Sequence, residues 1–220
     1  MNMFILSFDT TSEYCSVALF FSNKLLAASH LLVKNQQTEK LFQMIEQMLS
    51  SKSLKYSDIN YLAVTKGPGS FTGIRAGLAA AQGIVMGNPS ITPIVIDNFK
   101  VLYSSMIRYI LKYDYYIVAF ESLKDQLYLK VFSKESQKLL HGHYNKINDI
   151  LSKLKGKIVC SGNATLYLKS NFNNFIYLPR LYQPHARLVG KCAYRQVVNN
   201  SYSSNLEPLY IKPPSAIPIE

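Results

Sequence analysis

Cysteine is scarce in this 220-residue chain: there are three, Cys15, Cys160 and Cys192, odd in number and far apart. No Cys-x-x-Cys pair occurs, so neither a zinc ribbon nor a disulfide framework is indicated, and a reducing cytoplasm is the simplest expectation. Histidine is nearly as sparse, with four residues, His30, His141, His143 and His185. Only His141 and His143 lie close together, at the period of a strand and without a neighbouring cysteine or carboxylate ligand. No metal centre is expected. No uncharged apolar run reaches the roughly 18 residues of a membrane span. The apolar start Met3–Phe8 is stopped by Asp9 and has no basic segment before it, unlike a signal peptide. A Gly-x-Ser-x-Gly nucleophile elbow, a Walker phosphate loop and the dinucleotide glycine spacing are all missing. No internal repeat is legible.

Acidic residues are few as well. Asp and Glu number 13 against 24 Lys and Arg, a net charge of +11. This excludes an acidic solvating protein and admits an anionic partner. A biased codon pool rich in Lys, Asn, Ile and Tyr gives the same composition, so both readings stay open. With 48% hydrophobic and 17% charged residues the chain is globular.

The pattern of what is present begins with three strand-like runs, Met3–Asp9, Cys15–Phe21 and Leu25–Val33, with Ser22-Asn23-Lys24 as a hairpin turn. A helix follows, with Thr38 as its N-cap. Its residues Leu41, Phe42, Met44, Ile45, Met48 and Leu49 share an arc of roughly 160°, wider than the roughly 100° that a core-facing helix needs. Tyr61–Thr65 reads as a strand, Thr72–Met86 as a helix stopped by Asn88-Pro89, and Thr92–Ile96 as a strand. This β-β-β-α-β-α-β order suits a mixed sheet with helices on its faces, as in ribonuclease H-like and actin-like lobes. Beyond it, Asp97 caps a helix through about Lys112. Tyr116–Glu121 and Gln126–Ser133 pair as strands. Asn148–Lys155 and Gln183–Val198 are helical, and Lys157–Ser161 is a strand. The proline-rich end from Pro208 is extended. The division expected is an N-terminal lobe, 1–100, and a smaller C-terminal lobe, 101–220.

Two places could carry chemistry. Asp9-Thr10-Thr11-Ser12, at the end of the first strand, could hold phosphate oxygens or a hydrated metal, or could simply be an Asx or Ser/Thr turn. Gly67-Pro68-Gly69-Ser70-Phe71-Thr72-Gly73 joins a strand to a helix, where free N–H groups favour an anion; a tight structural turn fits equally. The helix that follows is apolar nearly all round, with only Arg75 and Gln82 polar between Ile74 and Met86. Its small residues would let a second helix approach closely. A protein interface built from the two helices follows, with a fully internal helix as the competing reading.

The segment Gly67–Gly77 resembles the bacterial TsaB family, the tRNA threonylcarbamoyladenosine biosynthesis proteins. Ile5–Thr11 with Ser16-Val17-Ala18-Leu19 is similar to the family's first hairpin, and Glu207–Lys212 to its closing segment. Departures occur where the family has a His-Ser-Glu-like helix start, here Asn35-Gln36-Gln37-Thr38-Glu39. They occur also at its Asp-Ala-Arg, here Glu121-Ser122-Leu123 with Tyr128 in place of its tyrosine. The resemblance implies an α/β, actin-like, ribonuclease H-like (ASKHA) two-lobed fold with mixed sheets flanked by helices. It implies a non-catalytic partner of TsaD, the threonylcarbamoyl-transferring subunit, with the TsaE ATPase as a further partner and a homodimer when alone. TsaD's metal-binding His-x-x-x-His has no counterpart in Ile96–Leu102. Of the superfamily's ATP loops, Asp9, Thr10 and Thr11 are a remnant, while Ala119-Phe120-Glu121-Ser122 and Ser161-Gly162-Asn163-Ala164 depart from the pattern. No cofactor is expected. Leu41, Ile45, Met48, Ile74 and Leu78 are the expected partner contacts, and tRNA is touched weakly or indirectly. The alternatives are an ATP-dependent transferase or phosphotransferase of the actin-like superfamily, and an accessory tRNA-binding module.

Overall fold

The computed structural model describes residues 2–33, 37–106, 112–122, 125–179, 182–209 and 211. Its first half runs β1 (Phe4–Asp9), β2 (Tyr14–Phe21), β3 (Lys24–Leu32), α1 (Gln37–Ser50), β4 (Tyr61–Thr65), α2 (Phe71–Gly87), β5 (Thr92–Ile96) and α3 (Asn98–Ser105). The second half repeats this order as β6 (Tyr115–Glu121), β7 (Gln126–Phe132), β8 (Gln137–His143), α4 (Tyr144–Leu151), β9 (Ile158–Ser161), α5 (Thr165–Asn171), β10 (Ile176–Tyr177) and α6 (Ala186–Val198). One sheet is ordered β3-β2-β1-β4-β5 and the other β8-β7-β6-β9-β10, which is the same arrangement. In each, the first three strands are an antiparallel meander and the last two join in parallel. This is the expected two-lobed actin-like architecture. The sequence showed no repeat, yet the topology is doubled, because strand order and hydrophobic pattern can recur without residue identity.

Local sequence explains the elements. β1 is buried along almost its whole length, as a central strand covered on both faces should be. Ser70 caps α2, its Oγ accepting from the Gly73 N–H at 3.2 Å, and Asp97 caps α3 by accepting from the Lys100 N–H at 2.7 Å. Several boundaries move. Thr38 lies inside the first turn of α1 because the helix begins at Gln37. The helix after Asp97 ends at Ser105, short of Lys112, and residues 107–111 lie outside those described. The helix expected at Asn148–Lys155 starts earlier, at Tyr144, and stops at Leu151. α5 and β10 were not foreseen. Asn35, Gln36, Leu123 and Lys212 lie outside the described residues, as does the tail beyond.

The core falls in four layers. α1 and α2 cover one face of the first sheet through Leu41, Ile45, Leu78 and Ile84 on Leu6, Phe8 and Leu62. α6 covers its other face, placing Val189, Cys192 and Ala193 against Ile5, Ala18, Phe20 and Ala63. On the second sheet, α4 and α5 lie over Ile117, Leu129 and Cys160. α3 sits on its other face, with Phe99 and Leu102 against Val118, Phe120 and Phe132. The last helix of each half therefore packs on the sheet of the other.

This corrects the division at residue 100. α6 belongs to the first sheet, and the chain after it stays there: Val95 N–H donates to Ser203 O at 2.8 Å and Leu209 N–H to Lys66 O at 2.9 Å. Arg195 also reaches from α6 to the Ser104 carbonyl at the end of α3, at 2.6 Å. The apolar face of the first sheet needs a cover, to which α3 contributes Val101 and α6 contributes Ala186, Val189, Cys192, Ala193 and Val197. α6 approaches closely at Gly190, where a Cβ would strike the Phe20 ring and Ser7 Oγ. Gly190→Ala is therefore expected to lower the unfolding free energy by about 1–3 kcal/mol through overpacking, read as a reduced denaturation midpoint.

Candidate functional site

Asp9 ends β1 at a turn that is closed from three sides. Its carboxylate is 1% exposed. Oδ1 accepts from Thr11 Oγ1 at 2.8 Å and from Thr65 Oγ1 at the end of β4. Asn98, the first residue of α3, donates from Nδ2 to Thr11 Oγ1 at 2.9 Å and to the Pro68 carbonyl at 2.7 Å. Thr10 Oγ1 donates to the Gly73 carbonyl at 2.7 Å. Asp9, Thr10 and Thr11 are thus brought together, and joined by Thr65 and Asn98, which sequence reading passed over. The signal was positional: Thr65 ends a strand parallel to β1, and Asn98 follows another by one residue.

The glycine loop presses on this turn. A Cβ at Gly69 would overlap the Thr11 carbonyl, and one at Gly73 the Thr10 carbonyl. Ser70 N–H donates to Thr11 O at 2.8 Å. Close backbone approach explains these glycines. Asn98 Oδ1 is buried with no hydrogen-bond partner among the described residues. An unpaired acceptor attracts a donor, and an ionised phosphate offers none. The equivalent place in the second half is closed in the same way. Asn163 Oδ1 accepts from the Glu121 N–H at 2.9 Å, and Gly162, at φ +104°, lies against the Ala119 carbonyl. Both strand ends are thus packed by hydrogen bonds and close backbone contacts from within the chain.

Other chemistry-bearing groups are accounted for. All three cysteines are buried and free, and burial lifts the Cys15 thiol to about 12, with the Asp9 charge adding to it. His141 stacks on Tyr128, and His143 accepts from the Asn145 N–H at the start of α4. Among the described residues no three His, Cys, Asp or Glu gather as a metal set. No helix among them is long and apolar enough to cross a membrane.

The expected partner contacts need correction. Leu41, Ile45, Met48, Ile74 and Leu78 all lie in the core of the first half, the first two with no exposed surface. The wide arc of α1 is consumed because the helix packs both on β2 and on α2. Side chains that do face outward on the same two helices are Phe42 (38% exposed), Phe71 (46%) and Met86 (75%). Ala79, Gln82, Gly83 and Gly87 are exposed beside them on α2, with open space where a Cβ of Gly83 or Gly87 would stand. Arg75 lies over the Phe71 ring, 4.1 Å from its centroid.

Burial is the main influence on Asp9: it raises the carboxyl from an ordinary 3.8 to about 6, against the two threonine hydrogen bonds. A folded pKa above the unfolded one means the native state holds the proton longer, so stability declines as pH rises from about 4 to about 6. Asp9→Asn keeps the acceptor oxygen and removes the charge. It is expected to flatten that decline, a gain on the order of 3 kcal/mol above pH 6, in denaturant titrations across pH 4–7.

Comparison with known proteins bears on the whole chain. The family model for TsaD, tRNA N6-adenosine threonylcarbamoyltransferase, matches residues 31–92. The tRNA threonylcarbamoyladenosine biosynthesis protein TsaB of Haemophilus influenzae is 27% identical over 176 residues, 79% of this chain and 71% of that protein. TsaB of Buchnera aphidicola is 28% identical over 194 residues, 85% of this chain and 91% of its own. The structure of YeaZ from Pseudomonas aeruginosa superposes with a TM-score of 0.75 at 18% identity, covering 95% of this chain and all of the other, which speaks to fold. Over most of its length, then, this chain is similar in sequence to TsaB proteins.

Proposed function

We propose that this chain is a non-catalytic subunit in the formation of threonylcarbamoyladenosine in tRNA, docking through the outer face of α1 and α2 onto a TsaD-like transferase subunit. The observation that carries the reading is the exposed stripe Ala79-Gln82-Gly83-Met86 on α2. Phe71 on the same helix and Phe42 on α1 are exposed too, on helices whose other faces are buried in their own core. A stripe of small residues lets a partner helix come near, and the aromatic and methionine side chains at its rim supply apolar contact area. The names of the relatives supply the pathway. The TsaD family model covers residues 31–92, the stretch that holds both helices, so the two proteins can pair like faces across a pseudo-two-fold axis. A second copy of this chain would use the same face in the free state, and a TsaE-type ATPase is the further partner in this reading. The filled turn at Asp9 supports a supporting role over an ATP-dependent transferase.

Charge agrees with this division of roles. Residues 106–220 carry 16 of the 24 Lys and Arg and 7 of the 13 Asp and Glu, so the first half, with the docking face, is nearly neutral. Apolar docking suits a nearly neutral surface.

The test is reconstitution of tRNA threonylcarbamoylation with the cognate partner proteins, with and without this chain. Modification is expected to depend on the chain, which alone does nothing; modification proceeding equally well without it overturns the reading. Ala79→Glu, at an exposed position, is expected to leave folding intact and weaken binding to the TsaD-like subunit by roughly 30-fold or more. Leu78→Glu is expected to unfold the first half, because Leu78 is core.

A further inference from the structure

A cavity of about 290 Å³ opens between β2, β3 and the start of α6, away from the docking face. Ser16 and Ala28 form its floor, and His30, His185 and Arg187 stand around it. None of the residues lining it carries a carboxylate. His30 is paired across the strands with Ser16; its ring stacks on His185, with centroids 5.9 Å apart, and meets the Tyr14 ring at a tilt, with centroids 4.5 Å apart. His185 and Arg187 are held there because α6 is anchored: the Ala186 N–H donates to Ser16 Oγ at 2.9 Å, and Ser7 Oγ donates to the Ala186 carbonyl at 3.0 Å. The first N–H of the helix is thereby occupied, so the character of the cavity comes from its side chains.

Three nitrogen-bearing side chains line one cavity, and no acidic residue of its lining neutralises the Arg187 charge. We propose that this cavity binds a phosphate group, with Arg187 and the two histidines as its donors. An arginine and two imidazoles match the several acceptor oxygens of a phosphate. The volume admits a phosphate with the sugar attached to it and little more. The state of the histidines agrees. Burial holds His185 down at about 4, reinforced by His30 and Arg187, and burial with Arg187 lowers His30. The charged or titratable neighbours acting on these rings are each other and Arg187. A bound dianion reverses the sign of that environment and favours both imidazolium forms. The same chemistry is carried by a free nucleotide and by an RNA backbone, and the cavity requires neither the docking face nor the TsaD reading.

The experiment is a titration of the intact protein followed by the imidazole C–H resonances of its four histidines. Probes are inorganic phosphate, adenosine monophosphate and a short single-stranded oligoribonucleotide, with chloride as control. His30 and His185 are expected to shift saturably and titrate at higher pH when phosphate is present, while His141 and His143 stay put. Arg187→Gln, at an exposed position, is expected to weaken binding about tenfold or more without changing the rest of the spectrum. Tighter binding of the oligoribonucleotide than of adenosine monophosphate assigns the phosphate to RNA, and the reverse assigns it to a free nucleotide; either supports the site. No saturable shift with any probe, equal shifts with chloride, or undiminished binding by Arg187→Gln overturns it.

Discussion

Each sheet of this protein is sealed on one face by a helix that the other half of the chain supplies. α6 lies on the first sheet and α3 on the second, and the two helices touch. The first sheet offers Ile5, Ala18, Phe20, Ala63, Ile94 and Ile96 to this exchange, all buried. Fully burying even one such side chain contributes about 1.5–3 kcal/mol, so the exchange is a large part of what holds the halves together. The rest of the architecture follows from it. Asn98 reaches the Asp9 turn because it begins the helix that crosses over. His185 and Arg187 stand beside β2 and β3 because they begin the helix that crosses back.

The turn at Asp9 gathers groups from elements that are far apart in the chain. The strand ends still converge, as they do in any sheet of this topology. Here the space between them holds threonine hydroxyls, a carboxamide and the backbone of the glycine loop. The carboxylate is retained at an electrostatic cost and is held by hydrogen bonds from within the chain.

Sequence reading reached the fold because its first half is strongly patterned. The meander, the two helices and the parallel strands all have clear periodicity and turn residues, from Ser22-Asn23 to Asn88-Pro89. The second half is weaker in this respect. α5 is seven residues long and β10 two, too short for periodicity to register. The helix faces were misassigned for a different reason. A wheel gives the width of the apolar arc of α1 but not how many neighbours share it, and here β2 and α2 together cover Leu41 and Ile45. The glycine loop was located correctly, but its purpose depends on Thr10 and Thr11, far away in sequence. Thr65 and Asn98 carry no local signature at all; only the parallel register of β1, β4 and β5 brings them to Asp9.

The placement of α6 also bears on how the protein is made. Translation delivers the first sheet and its outer helices early, but residues 186–198, which cover its other face, emerge only after every strand of both sheets. Until then Phe20, Ala18 and Ile94 remain open to solvent on a ribosome-bound chain, the kind of transiently exposed apolar surface that chaperones hold. The second sheet is not delayed in this way, because Phe99 and Leu102 of its covering helix precede all of its strands in the chain. A messenger RNA truncated before α6 would therefore yield a chain with an unsealed sheet, a substrate for proteolysis and not a smaller working protein.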